Sequence, residues 1–197
     1  CPERVLPGNV VYELVHNDRV IGGMNDDSTD KAIEFYSQFV QGILHRTNCK
    51  TAEMCKLTEN SSRDVQIAFA NELSLICDKA GINVWELINL ANKHPRVNIL
   101  QPGCGVGGHC IAVDPYFITA DFPMESKIIA TAREINNYKA LQYVTSFAGT
   151  SERNTAGCKQ ACDTAIRLFA TNPHIKKSVG RPQNCLLYTS DAADDLT

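Results

Sequence analysis

"TAEMCKLTENSSRDVQIAFANELSLICDKA", residues 51–80, holds neither glycine nor proline, and Gly81 follows it directly. An uninterrupted run of this kind predicts a continuous α-helix about 45 Å long at 1.5 Å per residue. Apolar side chains recur at helical period at Leu57, Val65, Ala68, Phe69, Leu73 and Ile76. They make a face wide enough for a core or for a partner helix. Lys56 and Asn60 stand four residues apart and so project from one side. Such a pair can donate to a developing oxyanion, or it can be an ordinary solvated face. Glu59 and Arg63 read as a local surface ion pair.

Upstream, residues 1–27 read as loop-rich, with Pro2, Pro7 and Gly8 as breakers and "RVIGG" (19–23) as a strand end. In "DDSTDKAIEFYSQFVQG" Ser28 is the expected N-cap, Ala32, Phe35, Tyr36, Phe39 and Val40 carry the helical period, and Gly42 stops it. "GILHRTNC" reads as a short strand. Downstream, "NVWELINLANKH" offers Asn83 as cap and Glu86 three residues on, with Pro95 closing the helix. "DPYFITA" opens another helix with Asp114 as cap and Pro115 at the first position. "SKIIATAREINN" places Ile128, Ala132 and Ile135 on one face. Residues 28–138 therefore read as one mostly helical unit around a single elaborate loop.

The composition narrows the function. Of 197 residues 44% are hydrophobic, and the net charge of −3 leaves no basic footprint for nucleic acid. No apolar run approaches the roughly 20 residues of a membrane span. "CPERVLPGNV" has no signal-peptide pattern and no initiator methionine, so the chain is expected to be entered part-way. The nine cysteines are scattered and form no CxxC pair, which suits a reducing cytoplasm better than a disulfide framework. Residues 140–184 carry no motif and stay unassigned, either shifted out of frame or the opening of another nucleotide-binding domain. "CLLYTSDAADDLT" (185–197) resembles a translated sequencing adaptor and is set aside from fold reasoning.

The loop "PGCGVGGHCIAVDP", residues 102–115, carries the chemistry. Gly103, Gly105 and Gly108 match GxGxxG, but no strand precedes them and a His-Cys pair follows, so the match reads as accidental. A metal site of Cys104, His109 and Cys110, with His94, lacks the usual ligand spacing; no metal is expected. A nucleophile remains: glycines let a substrate approach the backbone, and a thiolate at Cys110 attacks carbonyl carbon. The competing reading makes Cys110 one more small buried residue. Asp114 lies one helical turn beyond Cys110 and reads first as a helix cap.

Together, "AEMCKLTEN", "FANEL", "HPRVNILQPG" and "GVGGHCIAVDP" resemble the nucleotide-sugar 6-dehydrogenases, over roughly residues 1–139. The resemblance implies a three-domain α/β enzyme, with an N-terminal Rossmann domain for NAD, a central helical domain that makes a homodimer, and a C-terminal domain for UDP. This chain would hold the end of the first (1–27) and the mostly α central domain (28–139), without the NAD fingerprint. The implied reaction oxidises a sugar C6 alcohol to a carboxylate through a cysteine thiohemiacetal and thioester. Carried over by position, Cys110 is the nucleophile, and Lys56 and Asn60 hold the oxyanion. Asp114 orients water or Lys56, and Glu3 in "CPER" assists thioester hydrolysis. Arg96 and the backbone at Gly107 and Gly108 meet the sugar nucleotide, Arg96 from across the dimer. The UDP-glucose branch has a second glutamate where this chain has Pro7, so that role does not transfer. The motifs favour UDP-N-acetyl-D-mannosamine as substrate over UDP-N-acetylglucosamine or UDP-glucose. Rival readings are a cysteine hydrolase and a non-catalytic dimerisation module.

Overall fold

The computed structural model describes residues 1–6, 8–108 and 110–148, the last six as backbone alone. It divides into two compact units, Cys1–Asn60 and Ser61 onward.

In the first unit, α1 (Val10–His16) leads into β1 (Arg19–Gly23), then α2 (Asp26–Ser37) and β2 (Leu44–Asn48). The strands pair in parallel, Arg19 against Leu44 through Gly23 against Asn48. A parallel pair needs a crossover, and α2 supplies it. Asp18 fixes the strand starts: one carboxylate oxygen accepts from Ile43 N at 2.8 Å and the other meets His45 Nε2 at 3.0 Å. These hydrogen bonds hold its carboxyl below the usual range, the one from His45 most.

Three expectations change here. "VVYELVH" is a helix rather than loop, because Glu13 satisfies its surroundings: its carboxylate accepts from Leu6 N at 2.8 Å and Asn17 Nδ2 at 3.3 Å. The cap of α2 is Asn25, and Ser28 is its reciprocal partner in a capping box. The helix ends at Ser37, five residues before Gly42. A division after residue 27 also cuts through this β–α–β unit, since α2 and β2 complete it.

Helix α3 (Cys49–Ala80) is as continuous as its composition predicts; Asn48 Oδ1 accepts from Thr51 N at 2.9 Å at its start. It stops at Gly81, whose φ of 68° is the left-handed conformation that ends helices. In the second unit follow α4 (Val84–Ala91), α5 (Asp114–Asp121) and α6 (Lys127–Ala148). Asn83 caps α4 as expected, accepting from Trp85 N and Glu86 N. The cap position of α5 is Val113, which moves Asp114 into the first helical turn beside Pro115.

The core of this second unit mixes small, polar and apolar side chains. On α3 the buried positions include Ser61, Asp64, Ile67, Ala68, Asn71 and Ser74. On α6 they are Ala132, Arg133, Asn136 and Lys139. Phe69 and Ile76 on α3 and Ile128 on α6 are more than half exposed or nearly so, at 50%, 55% and 72%. Small and polar side chains let the two helices meet; of the apolar stripes seen in the sequence, Ala68 and Ala132 are buried while Phe69, Ile76 and Ile128 face outward. Helical period thus located the stripes but not which of their residues are core. Residues 140–148 continue α6; the remaining expectations for 149–184 and 185–197 lie outside the described residues.

Candidate active site

The glycine loop is pinned to the two helices before it reaches Cys110. Pro102 is buried, and Gly103 N donates to Asn71 Oδ1 on α3 at 2.8 Å. Asn71 Nδ2 donates to Asn136 Oδ1 on α6 at 2.9 Å. Asn136 Nδ2 reaches back to α3, to Asp64 Oδ1 at 2.8 Å and Asp64 O at 3.1 Å. Arg133 Nη1 completes the cluster with Asp64 Oδ1 at 2.6 Å. Both members of this ion pair are buried, at 4% and 0% side-chain exposure. Burial raises the Asp64 carboxyl above its usual range, against the opposing pull of Arg133 and Asn136. Gly105 has φ 114°, and a Cβ there would stand 2.7 Å from Asn136 O and 3.1 Å from Ala140 Cβ. Only glycine permits that conformation and that approach.

Cys110 is exposed. Its carbonyl oxygen accepts from Val113 N at 3.0 Å and Asp114 N at 2.8 Å, a turn that leads into α5. Asp114 is half-buried at the head of that helix. The two residues are therefore one turn apart, as their spacing implies. Helix α5 is held to α6 by Asn137 Nδ2, which donates to Tyr116 Oη at 3.1 Å, and by Arg133 stacked over the Tyr116 ring. Gly107 and Gly108 lie in the loop, Gly108 with φ 87°. Exposed Arg96 sits in a loop bracketed by Asn92, whose side chain exchanges two hydrogen bonds with the backbone of Ile99, at 2.8 and 2.9 Å.

Glu3, Lys56 and Asn60 belong to the other unit. Lys56 and Asn60 are both half-buried, one turn apart on α3. Arg4 pairs with Glu59 at 2.9 Å, so the residue after Glu3 is tied to the residue before Asn60. Local spacing gave Glu59 to Arg63; the bond formed is to Arg4. Glu3 itself accepts from Val5 N. The structure thus groups the predicted residues into two sets, Glu3 with Lys56 and Asn60, and Cys110 with Asp114, Gly107 and Gly108.

The loop is not a dinucleotide turn: irregular backbone precedes Gly103, and the next helix begins only at Asp114. Among the described residues no cluster of His, Cys, Asp or Glu could hold a metal ion; His109 lies outside them. None of their helices is long and apolar enough to cross a membrane. Dinucleotide binding suits the first unit as far as that unit goes, because parallel strands with a crossover helix are the building block of such domains. Sequence reasoning missed Asp64, Asn71, Arg133 and Asn136. The available signal was polar residues at helical spacing inside a long helix, at 64 and 71.

Comparison with known proteins assigns the class. Residues 1–40 match the NAD binding domain of the UDP-glucose/GDP-mannose dehydrogenase family, and residues 50–138 match its central domain. The two together take in about two thirds of the chain, and the chain belongs to this family. It is 62% identical over 162 residues to the UDP-N-acetyl-D-mannosamine dehydrogenase of Campylobacter jejuni, covering 82% of this chain and 40% of that protein. It is 64% identical over 139 residues to the NDP-N-acetyl-D-galactosaminuronic acid dehydrogenase of Ralstonia nicotianae, covering 71% and 33%. Among solved structures, the UDP-N-acetyl-mannosamine dehydrogenase Cap5O from S. aureus superposes with TM-score 0.68 at 52% identity, over 77% of this chain and 37% of that one. The chain therefore spans about two fifths or less of the length of these relatives.

Proposed function

We propose that the chain carries the nucleophile of an NAD-dependent dehydrogenase that oxidises C6 of UDP-N-acetyl-D-mannosamine to the uronate. The observation that carries this reading is Cys110, an exposed cysteine beyond an anchored glycine loop, within the segment that matches the family's central domain. In this reading the enzyme is cytoplasmic and has three domains. Residues 28–139 fall largely in its central domain, and its NAD-binding portion extends through β2.

Bound NAD supplies the hydride acceptor for both oxidations; no residue here is assigned to its pyrophosphate, since the glycine fingerprint is not in residues 1–60. The chain's own residues act on the sugar. Once C6 is an aldehyde, the Cys110 thiolate forms the C–S bond and the carbonyl electron pair moves onto oxygen. Lys56 and Asn60 donate to that oxyanion. Loss of hydride from C6 leaves the thioester. Water then attacks, Glu3 takes its proton, and the thiolate returns to Cys110. Asp114 orients that water or Lys56. Arg96 and the loop backbone at Gly107 and Gly108 hold the sugar nucleotide.

The outward stripes support a homodimer through the central helices. Val65, Phe69, Ile128 and Ile135 line an apolar groove between α3 and α6, and a second copy would cover it. Arg96 would then reach the partner's substrate.

The test is a chimera in which residues 1–139 replace the matching segment of the Campylobacter jejuni enzyme. It should release two NADH for each uronate formed from UDP-N-acetyl-D-mannosamine. Cys110→Ser should lower uronate formation on the order of 10³-fold or more, and unchanged turnover would sink the assignment. The same assay with UDP-N-acetylglucosamine, UDP-glucose and the galactosamine epimer decides the substrate. Preference for the epimer would move this chain toward the Ralstonia relative.

A further inference from the structure

We infer that the buried groups between α3 and α6 form a directed hydrogen-bond chain that sets the position of the glycine loop, with Asn71 and Asn136 as positioning residues for Cys110. The inference rests on the reading of Cys110 as nucleophile. Its direction is fixed at both ends. At one end the Asp64 backbone carbonyl can only accept, and Asp64 Oδ1 already accepts from Arg133, so Asn136 must turn its NH2 group toward both, at 3.1 and 2.8 Å. Asn136 then offers Oδ1 to Asn71, which must answer with Nδ2, at 2.9 Å. That leaves Asn71 Oδ1 for the far end, where the backbone N–H of Gly103 can only donate, at 2.8 Å.

Neither amide can flip without setting donor against donor and acceptor against acceptor. Asn71 and Asn136 are 0% and 1% exposed, so water cannot repair the mismatch. The second anchor is steric. Gly105 lies against the backbone oxygen of Asn136 itself. The loop is thus held by α3 at Gly103 and by α6 at Gly105, on either side of Cys104. Cys110 follows five residues later, where the chain enters α5, itself bonded to α6 through Tyr116. An ion pair on two helices therefore orients, through two amides, the loop that presents the thiol.

The chain carries its own reporters for a test. Cys110 and Cys1 are exposed, and Cys77 on α3 is 1% exposed. Alkylation by iodoacetamide is followed at each cysteine by peptide mass spectrometry across pH. Asn71→Leu and Asn136→Leu should each change the Cys110 rate about fivefold, the weight of one hydrogen bond, and alter its pH profile while leaving that of Cys1 as it is. Cys77 should stay protected. Ser74→Ala removes a nearby buried hydrogen bond, from Ser74 Oγ to Asn71 O, yet lies outside the chain and should leave Cys110 unchanged. An unaltered Cys110 profile in both leucine variants overturns the inference, and so does an equal effect from Ser74→Ala. If the leucine variants expose Cys77, amide exchange in the unaltered protein decides. Exchange at Gly103 about tenfold slower than at Gly107 supports the anchor, and equal rates overturn it. No turnover is read, so failure of the dehydrogenase assignment and failure of the anchor are separate results.

Discussion

Asp64 illustrates what a single residue does in the second unit. It sits at 0% exposure beside Arg133 at 4%, and its Oδ1 accepts from both Arg133 and Asn136, so removing the whole carboxyl strands two buried donors. Asp64→Ala should cost about 3 kcal/mol, measured by urea denaturation, because a buried pair that loses one partner is expensive. Its pH behaviour follows from the raised carboxyl value. The folded chain keeps that proton to higher pH than the unfolded chain does. The associated stability is full below about pH 4, the ordinary carboxylate value, and is lost as pH rises through the folded value. Asp18 runs the other way: its lowered value makes its contribution full above about pH 4 and lost as pH falls further. Urea midpoints for the unaltered protein and Asp64→Ala between pH 4 and 7 should differ in slope, and parallel curves would contradict the assignment. Cys110 with Asp114, and Lys56 with Asn60, could be singled out in the sequence because each stands one turn from its fellow, and the roles proposed for them come from the family resemblance. Asp64 and Asn71 could not, because their partners lie 72 and 65 residues off.

At the scale of elements, the strongest sequence signals were those with a local cause. Helix α3 was readable from the lack of breakers, and its end from Gly81. Helix α4 was readable from Asn83, and Asn83→Ala should cost about 1 kcal/mol, visible as a lower melting temperature. Helix α1 was not readable. Its valines and the preceding Pro7-Gly8 argue against a helix, and what favours one is Glu13 reaching back to the backbone at Leu6. The caps of α2 and α5 were each displaced, by three residues and by one. Side chains at successive positions there can each cap a turn, and only backbone geometry chooses among them. The glycine loop tests the same point in reverse. Gly105→Ala should cost about 1–3 kcal/mol, since it meets both an unfavourable φ and the Asn136 carbonyl. A melting curve checks it, and a neutral result would mean the loop can leave α6 freely.

For the whole molecule, helical periodicity counted apolar residues without telling buried from exposed. Phe69 and Ile128 satisfy the pattern and face outward, while Asn71 and Arg133 break it and are buried. On the proposed dimer, Phe69→Glu and Ile128→Glu should leave the fold's melting temperature nearly unchanged while halving the mass seen by sedimentation. Retention of the full mass would assign the groove elsewhere. The polar seam between α3 and α6 has a further result for how the chain finds its native form. A seam of leucines can slide by one turn, about 5.4 Å, and still bury most of its surface. Here the same slip would strand the Asp64 carboxylate, the Arg133 guanidinium and two amides without matching groups, in the absence of water. Misaligned pairings of these helices carry their own penalty. The seam works as a key cut for one alignment, and the search for that alignment ends when the last tooth fits.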